Sequence, residues 1–450
     1  MSQVKLFSST GTRVARRSGK PKKQKVKKPL KTLAIWLLVI LCLEGLYFFC
    51  IYTNNSFVKK WRTIYINTAM DTMRHQWLAT YFIPKDVIDE VRYEYGLVKA
   101  GTVGKESTWG RTDPAPADQT PSTNGNIVTL DPNVTHETDQ PDAEELTQEE
   151  LEKQAEENFY SVFWELDRTS METYLAEHPD TLANGWEHIY INEAGFDDEG
   201  TSIQSTFGEQ VLAIDAYNGV LLLRISGKGY RGVLAVGKNP SRLSIEMATT
   251  LGTAGQLSGT IAEAHNGVLA MNANGFLDPN GAGNGGLLAG YTMSNGKAYG
   301  DHFSAYAYKR IELHEDDLFY IKDALSPVSE DCTDAAEFTP ALIVDGKKIM
   351  DDYWTGEQPR ACIGQSEKYE ILMLVIEGRY PLEGILGTSV NNCSEILLQH
   401  KCMQAINLDG GSSAMLWFDG EYVTQSSSSP LRYTGGRPLP NAWVYKKAES

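Results

Sequence analysis

The chain has 450 residues, 41 Lys and Arg against 58 Asp and Glu, and a formal net charge of −17. An apolar content of 42% excludes a wholly disordered chain, and the acidic balance argues against nucleic acid as a partner. The length suggests two or three units, and no repeat of fixed period is present.

The charge is unevenly placed. Residues 1–31 hold eleven Lys or Arg and no acid, which leaves 30 basic against 58 acidic side chains on the rest. Such asymmetry marks a nucleic-acid arm or a membrane-proximal tail. The next segment decides. Residues 33–52 read LAIWLLVILCLEGLYFFCIY, with Glu44 the only charge. About 20 apolar residues make a helix that crosses a bilayer. The run is longer than a signal-peptide core and lacks a small-residue cleavage site, which favours an anchor over a cleaved leader. The positive-inside rule then keeps residues 1–32 in the cytoplasm, puts 33–53 in the membrane, and leaves the C-terminal domain extracytoplasmic. A carboxylate such as Glu44 costs roughly 2–3 kcal/mol at mid-bilayer and commonly finds a partner on another helix.

Residues 54–100 mix apolar and charged side chains at helical spacing (Val58, Trp61, Ile64, then Ile66, Met70, Met73). They read as a juxtamembrane helical segment, which with the membrane helix offers a route to self-association. Residues 101–145 are rich in Thr, Pro, Gly, Asn and Asp with little to bury, the composition of a disordered linker. Residues 146–181 form an acidic helical lead-in with Phe159, Val162, Phe163 and Leu166 as its apolar stripe.

Residues 182–450 are globular in composition and numerous enough for a large core. Runs at 211–214, 220–225, 341–344 and 371–376 have strand length and composition, separated by turn residues at 217–219, 345–346 and 419–420. Helical patterns cover 242–249 and 390–401. The order of strand 371–376, helix 390–401 and strand 404–408 predicts a right-handed βαβ crossover. It would send Glu377-Gly378-Arg379 and Asp409-Gly410-Gly411 out of the same sheet edge. The fold class is therefore α+β: a mixed β-sheet domain with a βαβ unit near the C-terminus, preceded by a single transmembrane helix and a disordered linker. Cys42 and Cys50 lie in the span, while Cys332, Cys362, Cys393 and Cys402 lie in the outer domain, where three disulfide pairings or free thiols are open. No CxxC or Cys/His spacing points to a structural zinc.

The richest stretch is 403–418, MQAINLDGGSSAMLWF. An apolar strand runs to Asn407, and Asp409 follows at its end beside a two-glycine bend, Gly410-Gly411, then Ser412 and Ser413. Ligands collect outside the carboxyl ends of such strands, and paired glycines let the backbone approach them. Asp409 could equally make an Asx-turn with its own backbone. Three further stretches matter. Asn272 and Asn274 end an apolar strand two residues apart, so both amides face one side. Residues 278–286 form a glycine-rich loop without the helix of a phosphate cradle or the pattern of a calcium loop. Arg360 opens the run Arg360-Ala361-Cys362-Ile363-Gly364 and carries a fork suited to phosphate.

In their order, these motifs resemble the phosphodiester glycosidase family: Asn272-Ala273-Asn274-Gly275-Phe276, Arg360 through Gly364, Gly378-Arg379, and Asn407 through Ser413. The resemblance covers roughly residues 200–447. It departs at Asn272-Ala273-Asn274-Gly275-Phe276, where Asn-Gly-Gly-Phe-Phe is expected, and either Asn272 or Asn274 can be the equivalent asparagine. The resemblance implies cleavage of the sugar–phosphate bond of sugar-1-phosphodiesters. It assigns Asp409 as nucleophile or water-activating base and Arg360 and Arg379 as phosphate holders. Asn272, Asn274, Asn407, Gly410, Gly411, Ser412 and Ser413 would bind substrate, with Glu377 and Glu395 as reserve carboxylates. No cofactor is required, though a divalent cation such as calcium is compatible, and the metal ligands are unassigned. The expected protein is a single-pass bacterial envelope hydrolase acting on an exopolysaccharide or wall polymer. The alternative is a non-catalytic module that binds phosphoglycans and scaffolds their assembly. A serine hydrolase is disfavoured because no Gly-x-Ser-x-Gly elbow is present.

Overall fold

The computed structural model describes residues 28–72, 76–110, 147–195, 199–279, 283–303, 308–350, 355–427 and 436–449. The basic tail over 1–27 and the linker over 111–145 lie outside the described residues. The chain divides into two compact units, residues 1–59 and 60–450. The first contains the helix Lys28–Tyr52, in which Thr32–Tyr52 is long and apolar enough to cross a bilayer. Its 21 residues, at about 1.5 Å each, match the roughly 30 Å hydrocarbon layer.

The second unit begins within the helix Ser56–Met70, which packs on the helix Lys85–Ala100. Ile66, Ala69, Val87, Ile88 and Val91 are buried, and Arg92 donates to Asn67 (3.0 Å) and Asp71 (2.6 Å). The next ten residues, composed like linker, are ordered against the globular domain. Ser107 N donates to Ile321 O (2.8 Å), Trp109 Nε1 to Phe319 O (2.8 Å), and the buried Lys309 Nζ to Thr102 O (2.7 Å) and Lys105 O (2.9 Å). Backbone pairing and a buried cation replace the apolar contacts that composition looks for. The lead-in forms two helices, Gln148–Val162 with a Thr147/Glu150 capping box, and Arg168–Glu177 capped by Asp167. Phe159, Phe163 and Leu166 join the main core. The buried Lys238 Nζ sits between Glu165 (2.6 Å) and Glu370 (2.8 Å), which ties the lead-in to the central sheet.

Antiparallel sheets with few helices make up the globular body. The central sheet has nine strands, among them Val220–Gly227, Tyr230–Gly237, Ile371–Ile376, Arg360–Ser366, Cys402–Asn407 and Ala341–Val344 in spatial order. Their apolar runs are buried on both faces, as strands covered on each side should be. A second sheet includes Leu416–Phe418, Gly267–Asn272, Asn441–Lys446 and Leu243–Met247, and a third includes Lys309–His314 and Cys332–Phe338.

Two expectations need correction. Residues 242–249 form the strand Leu243–Met247, because pairing with Asn441–Lys446 decides what a short apolar run of mixed propensity becomes. The helix Val390–Gln399 does connect Ile371–Ile376 to Cys402–Asn407, but these two strands are not neighbours. Each pairs antiparallel with Arg360–Ser366, which lies between them. They therefore run in the same direction without pairing, and the predicted βαβ unit is a crossover over an intervening strand. Cys332, Cys362, Cys393 and Cys402 are buried free thiols.

Candidate active site

The register of the central sheet builds the site. Arg360 lies opposite Ile376, and Cys362 lies opposite Asn407. The first residue of the middle strand is thus level with the ends of its two partners. Arg360, Arg379 and Asp409 consequently gather at one sheet end, although they come from three separate segments.

Asp409 sits at the centre. Burial pushes its carboxyl up from the ordinary range, while the neighbouring Ser413 hydroxyl, Arg437, Arg379 and the Gly410 N–H pull it down. Ser413 Oγ approaches without a hydrogen bond of regular geometry. The bend is as tight as its two glycines suggest. Gly411 has φ +61°, and a Cβ there would lie 2.9 Å from Arg379 Nη1. A Cβ on Gly410 would lie 2.5 Å from Pro359 O. Either side chain would displace the arginine or the strand that carries Arg360.

The arginines are held from behind. Arg360 donates through Nε to Thr388 O (3.1 Å) and through Nη2 to Gly356 O (2.8 Å). Arg379, itself at φ +67°, donates to Gln358 Oε1 (3.2 Å). Burial and then the Arg360 guanidinium push Arg379 below its usual value, against the attraction of Asp409. A third guanidinium, Arg437, was not singled out in the sequence. It donates to Ser412 Oγ (3.3 Å), stacks 4.3 Å over the Phe276 ring, and lies 3.9 Å from Asp278. Its signal was present in Gly435-Gly436-Arg437-Pro438, an arginine after paired glycines next to the closing strand. An aromatic wall was also missed. Tyr308 stacks on Phe303 (3.9 Å), and burial, Tyr95 and the Asp409 carboxylate hold its phenol up. A Cβ on Gly275 would be 3.3 Å from Phe338 and 4.0 Å from the Asp409 Cβ, so this glycine lets ring and carboxylate close together.

The asparagines divide. Asn272 donates to Asp409 O (2.8 Å), and its buried Oδ1 has no partner. Asn274 is fully buried and its amide is engaged within the protein. Its amide nitrogen donates to Tyr291 O (3.1 Å), and its oxygen accepts from Thr292 Oγ1 (2.6 Å) and Asn441 Nδ2 (3.1 Å). Full burial makes it a cross-sheet tie. Asn407 is buried and donates to Thr339 O (2.8 Å). The reserve carboxylates are engaged elsewhere: Glu377 by Arg231 (2.7 Å) and the Gln425 N–H (2.8 Å), and Glu395 by Lys348 at the surface.

Two buried polar atoms near Asp409, Asn272 Oδ1 and Gln358 Nε2, have no protein partner, and Ser413 Oγ has only its irregular approach to Asp409. Native interiors leave few such groups, and their concentration here is what a ligand site requires. Among the described residues, no group of three or more His, Cys, Asp or Glu converges on a common point. A hollow of about 250 Å³ bounded by Glu263, Trp417 and Lys447 lies at the Gly267 end of Gly267–Asn272, the end away from Asp409. It has neither arginines nor orphaned polar atoms of this kind.

No curated protein matches the chain. Among solved structures, the catalytic domain of zebrafish N-acetylglucosamine-1-phosphodiester alpha-N-acetylglucosaminidase, auto-inhibited by its pro-peptide, is 15% identical. The alignment covers 51% of this chain and 82% of that one, with a TM-score of 0.43. A hypothetical protein from Synechocystis is 17% identical, with 54% and 65% covered and a TM-score of 0.35. Residues 265–446, which include every motif residue named above, match the family model described as phosphodiester glycosidase. Over these residues the chain is similar to the phosphodiester glycosidase family.

Proposed function

We propose that the domain hydrolyses the sugar–phosphate bond of sugar-1-phosphodiesters in an envelope glycan, from a single-pass anchor at residues 33–53. The observation that carries the reading is the convergence of one half-buried carboxylate, Asp409, with Arg360, Arg379 and Arg437 at one sheet end, beside unpartnered polar atoms. Three guanidinium groups beside Asp409 offer planar donors to an anionic diester. A phosphate is already a good leaving group, so the site needs a carboxylate at the anomeric carbon more than a general acid. The C1–O bond breaks with its electron pair going to the phosphate oxygen, which Arg379 and Arg437 stabilise. Asp409 either bonds C1 or takes the proton of the attacking water. Water supplies the new hydroxyl, and the products are free sugar and a phosphomonoester. Asn272, Gln358 and Ser413 would orient the sugar, with Tyr308 as its apolar wall.

No metal is assigned a role. In the glycine-rich loop, both Asp278 oxygens accept the Gly283 N–H (2.9 and 3.0 Å), and Asp278 Oδ2 lies 3.9 Å from Arg437. The test is turnover by the full chain in detergent on a panel of sugar-1-phosphodiesters, UDP-N-acetylglucosamine among them, with and without a chelator. Free sugar released by the wild type and not by Asp409→Asn supports the reading. A folded wild type that cleaves nothing but binds phosphoglycan supports the scaffolding alternative.

A further inference from the structure

The helix Ser56–Met70 and the short helix Trp77–Thr80 carry an exposed aromatic patch that the catalytic reading leaves unused. Trp61 and Tyr65 are one helical turn apart and so share a face. The Tyr65 hydroxyl donates to Leu78 O (2.8 Å), which brings the second helix alongside. There, Trp77 and Tyr81 pack edge to face at 6.5 Å, and Phe82 follows. These five rings are between 44% and 80% exposed. Soluble surfaces rarely gather so many large apolar groups without a use for them.

We infer that this patch docks on the outer membrane surface, with its rings at the boundary between headgroups and acyl chains. Three observations favour lipid over another occupant. Trp and Tyr, with an apolar body and a polar tip, are the residues that settle at this boundary. The helix Ser56–Met70 contains Lys59, Lys60 and Arg62 and no acid, which suits anionic headgroups. Trp61 also follows the last residue of the membrane-length helix by nine positions, a short tether in sequence. The inference rests on reading residues 33–52 as membrane-inserted.

The patch has a link to the site. Thr68, on the same helix, accepts from Glu357 N (3.1 Å), and a Cβ on Gly356 would be 2.5 Å from Thr68 Cα. Gly356 O is one of the two carbonyls that hold Arg360. A helix lying on the membrane surface thus abuts the backbone that positions a phosphate-binding arginine. The substrate class this predicts is a phosphodiester glycan presented at the membrane surface rather than one free in solution.

The test uses the full chain in nanodiscs of phosphatidylcholine and phosphatidylglycerol that contain a diazirine-bearing phospholipid, with adducts mapped by mass spectrometry after irradiation. Adducts are expected at residues 61–82 as well as 33–52. The variant Trp61→Ser/Tyr81→Ser should lose the former and keep the latter, with its thermal unfolding unchanged. Adducts confined to 33–52 would overturn the docking surface while leaving the anchor intact. Adducts in neither segment would remove the membrane reading itself. Crosslinks between two copies through residues 61–82, without lipid adducts there, would assign the patch to a dimer and overturn the inference.

Discussion

Two arginine–carboxylate clusters in this protein have the same ingredients and opposite character. On the third sheet, Arg310, Glu312, Glu337 and His314 are all buried. Arg310 reaches Glu312 (2.8 Å) and Glu337 (3.5 Å), and it donates to Ala324 O, Ser326 O and Pro327 O at 2.9–3.1 Å. His314 meets Glu312 (2.9 Å), and the second Glu337 oxygen accepts the backbone N–H of Tyr291 and Phe303. Each charge there is answered within the protein. Around Asp409 the hydrogen-bonding capacity is not used up: the neighbouring Asn272 Oδ1 and Gln358 Nε2 lack partners. The difference teaches that buried charge marks a site only where its hydrogen-bonding capacity is left open. A closed cluster of buried charge is architecture.

Substitution should separate the two most sharply. Asp409→Asn is expected to lower turnover by about 10³-fold or more, with stability at neutral pH unchanged or raised, because it removes a carboxylate whose burial is costly. Steady-state kinetics beside thermal unfolding checks both halves. Arg310→Met should do the reverse. It strands Glu312 and Glu337 and is expected to destabilise the domain by about 3–5 kcal/mol, while the folded fraction keeps its specific activity. A stable Arg310→Met enzyme that has lost activity would erase the contrast.

pH should divide the clusters by sign. Interactions with His314, Ser329 and Arg310 bring Glu312 down from 4.5 to about 2 against its burial. Its contribution is present above pH 4.5 and lost as pH falls through about 2, on the order of 3 kcal/mol. Asp409 shifts the other way. Its folded state favours the protonated form, so the acid limb of kcat/KM should lie above the ordinary Asp value of 3.8. Denaturant titration across pH and a pH–rate profile measure the two. An acid limb at or below 3.8 would remove Asp409 as the titrating base.

The smaller effects test individual assignments. Arg379→Lys keeps the charge but loses the planar fork, and should raise KM about 10-fold or more. Asn272→Ala should weaken substrate binding by about 1–2 kcal/mol, read as KM. Asn274→Ala should instead cost about 1–3 kcal/mol of stability with KM unchanged, since its amide ties strands together. Equal effects of the two asparagine variants on KM would return Asn274 to the site.

Much of the site was legible in local sequence. Residues 371–376 and 402–407 are apolar runs of strand length, and polar residues after them must fall at a sheet end whatever the neighbours are. The two glycines after Asp409 are required by a bend whose closest contacts leave no room for a Cβ. Arg437 escaped because its place depends on a long return to the closing strand. The Asn-x-Asn spacing says that two amides share a face and not that one, Asn274, is sealed beneath it. The run 242–249 was misread as helix because its register with Asn441–Lys446 belongs to the sheet.

By itself, the sequence determined what short-range physics controls: an apolar segment of bilayer length, alternation and runs that make strands, and a tight glycine bend beside a carboxylate. Only the tertiary structure decided which strands are neighbours, and so that the Arg360 strand lies between its two partners. It alone decided which buried charges are satisfied and that residues 101–110 pack on the domain. Those outcomes depend on pairing between segments remote in sequence, and on whether a polar group finds a partner once water has been excluded.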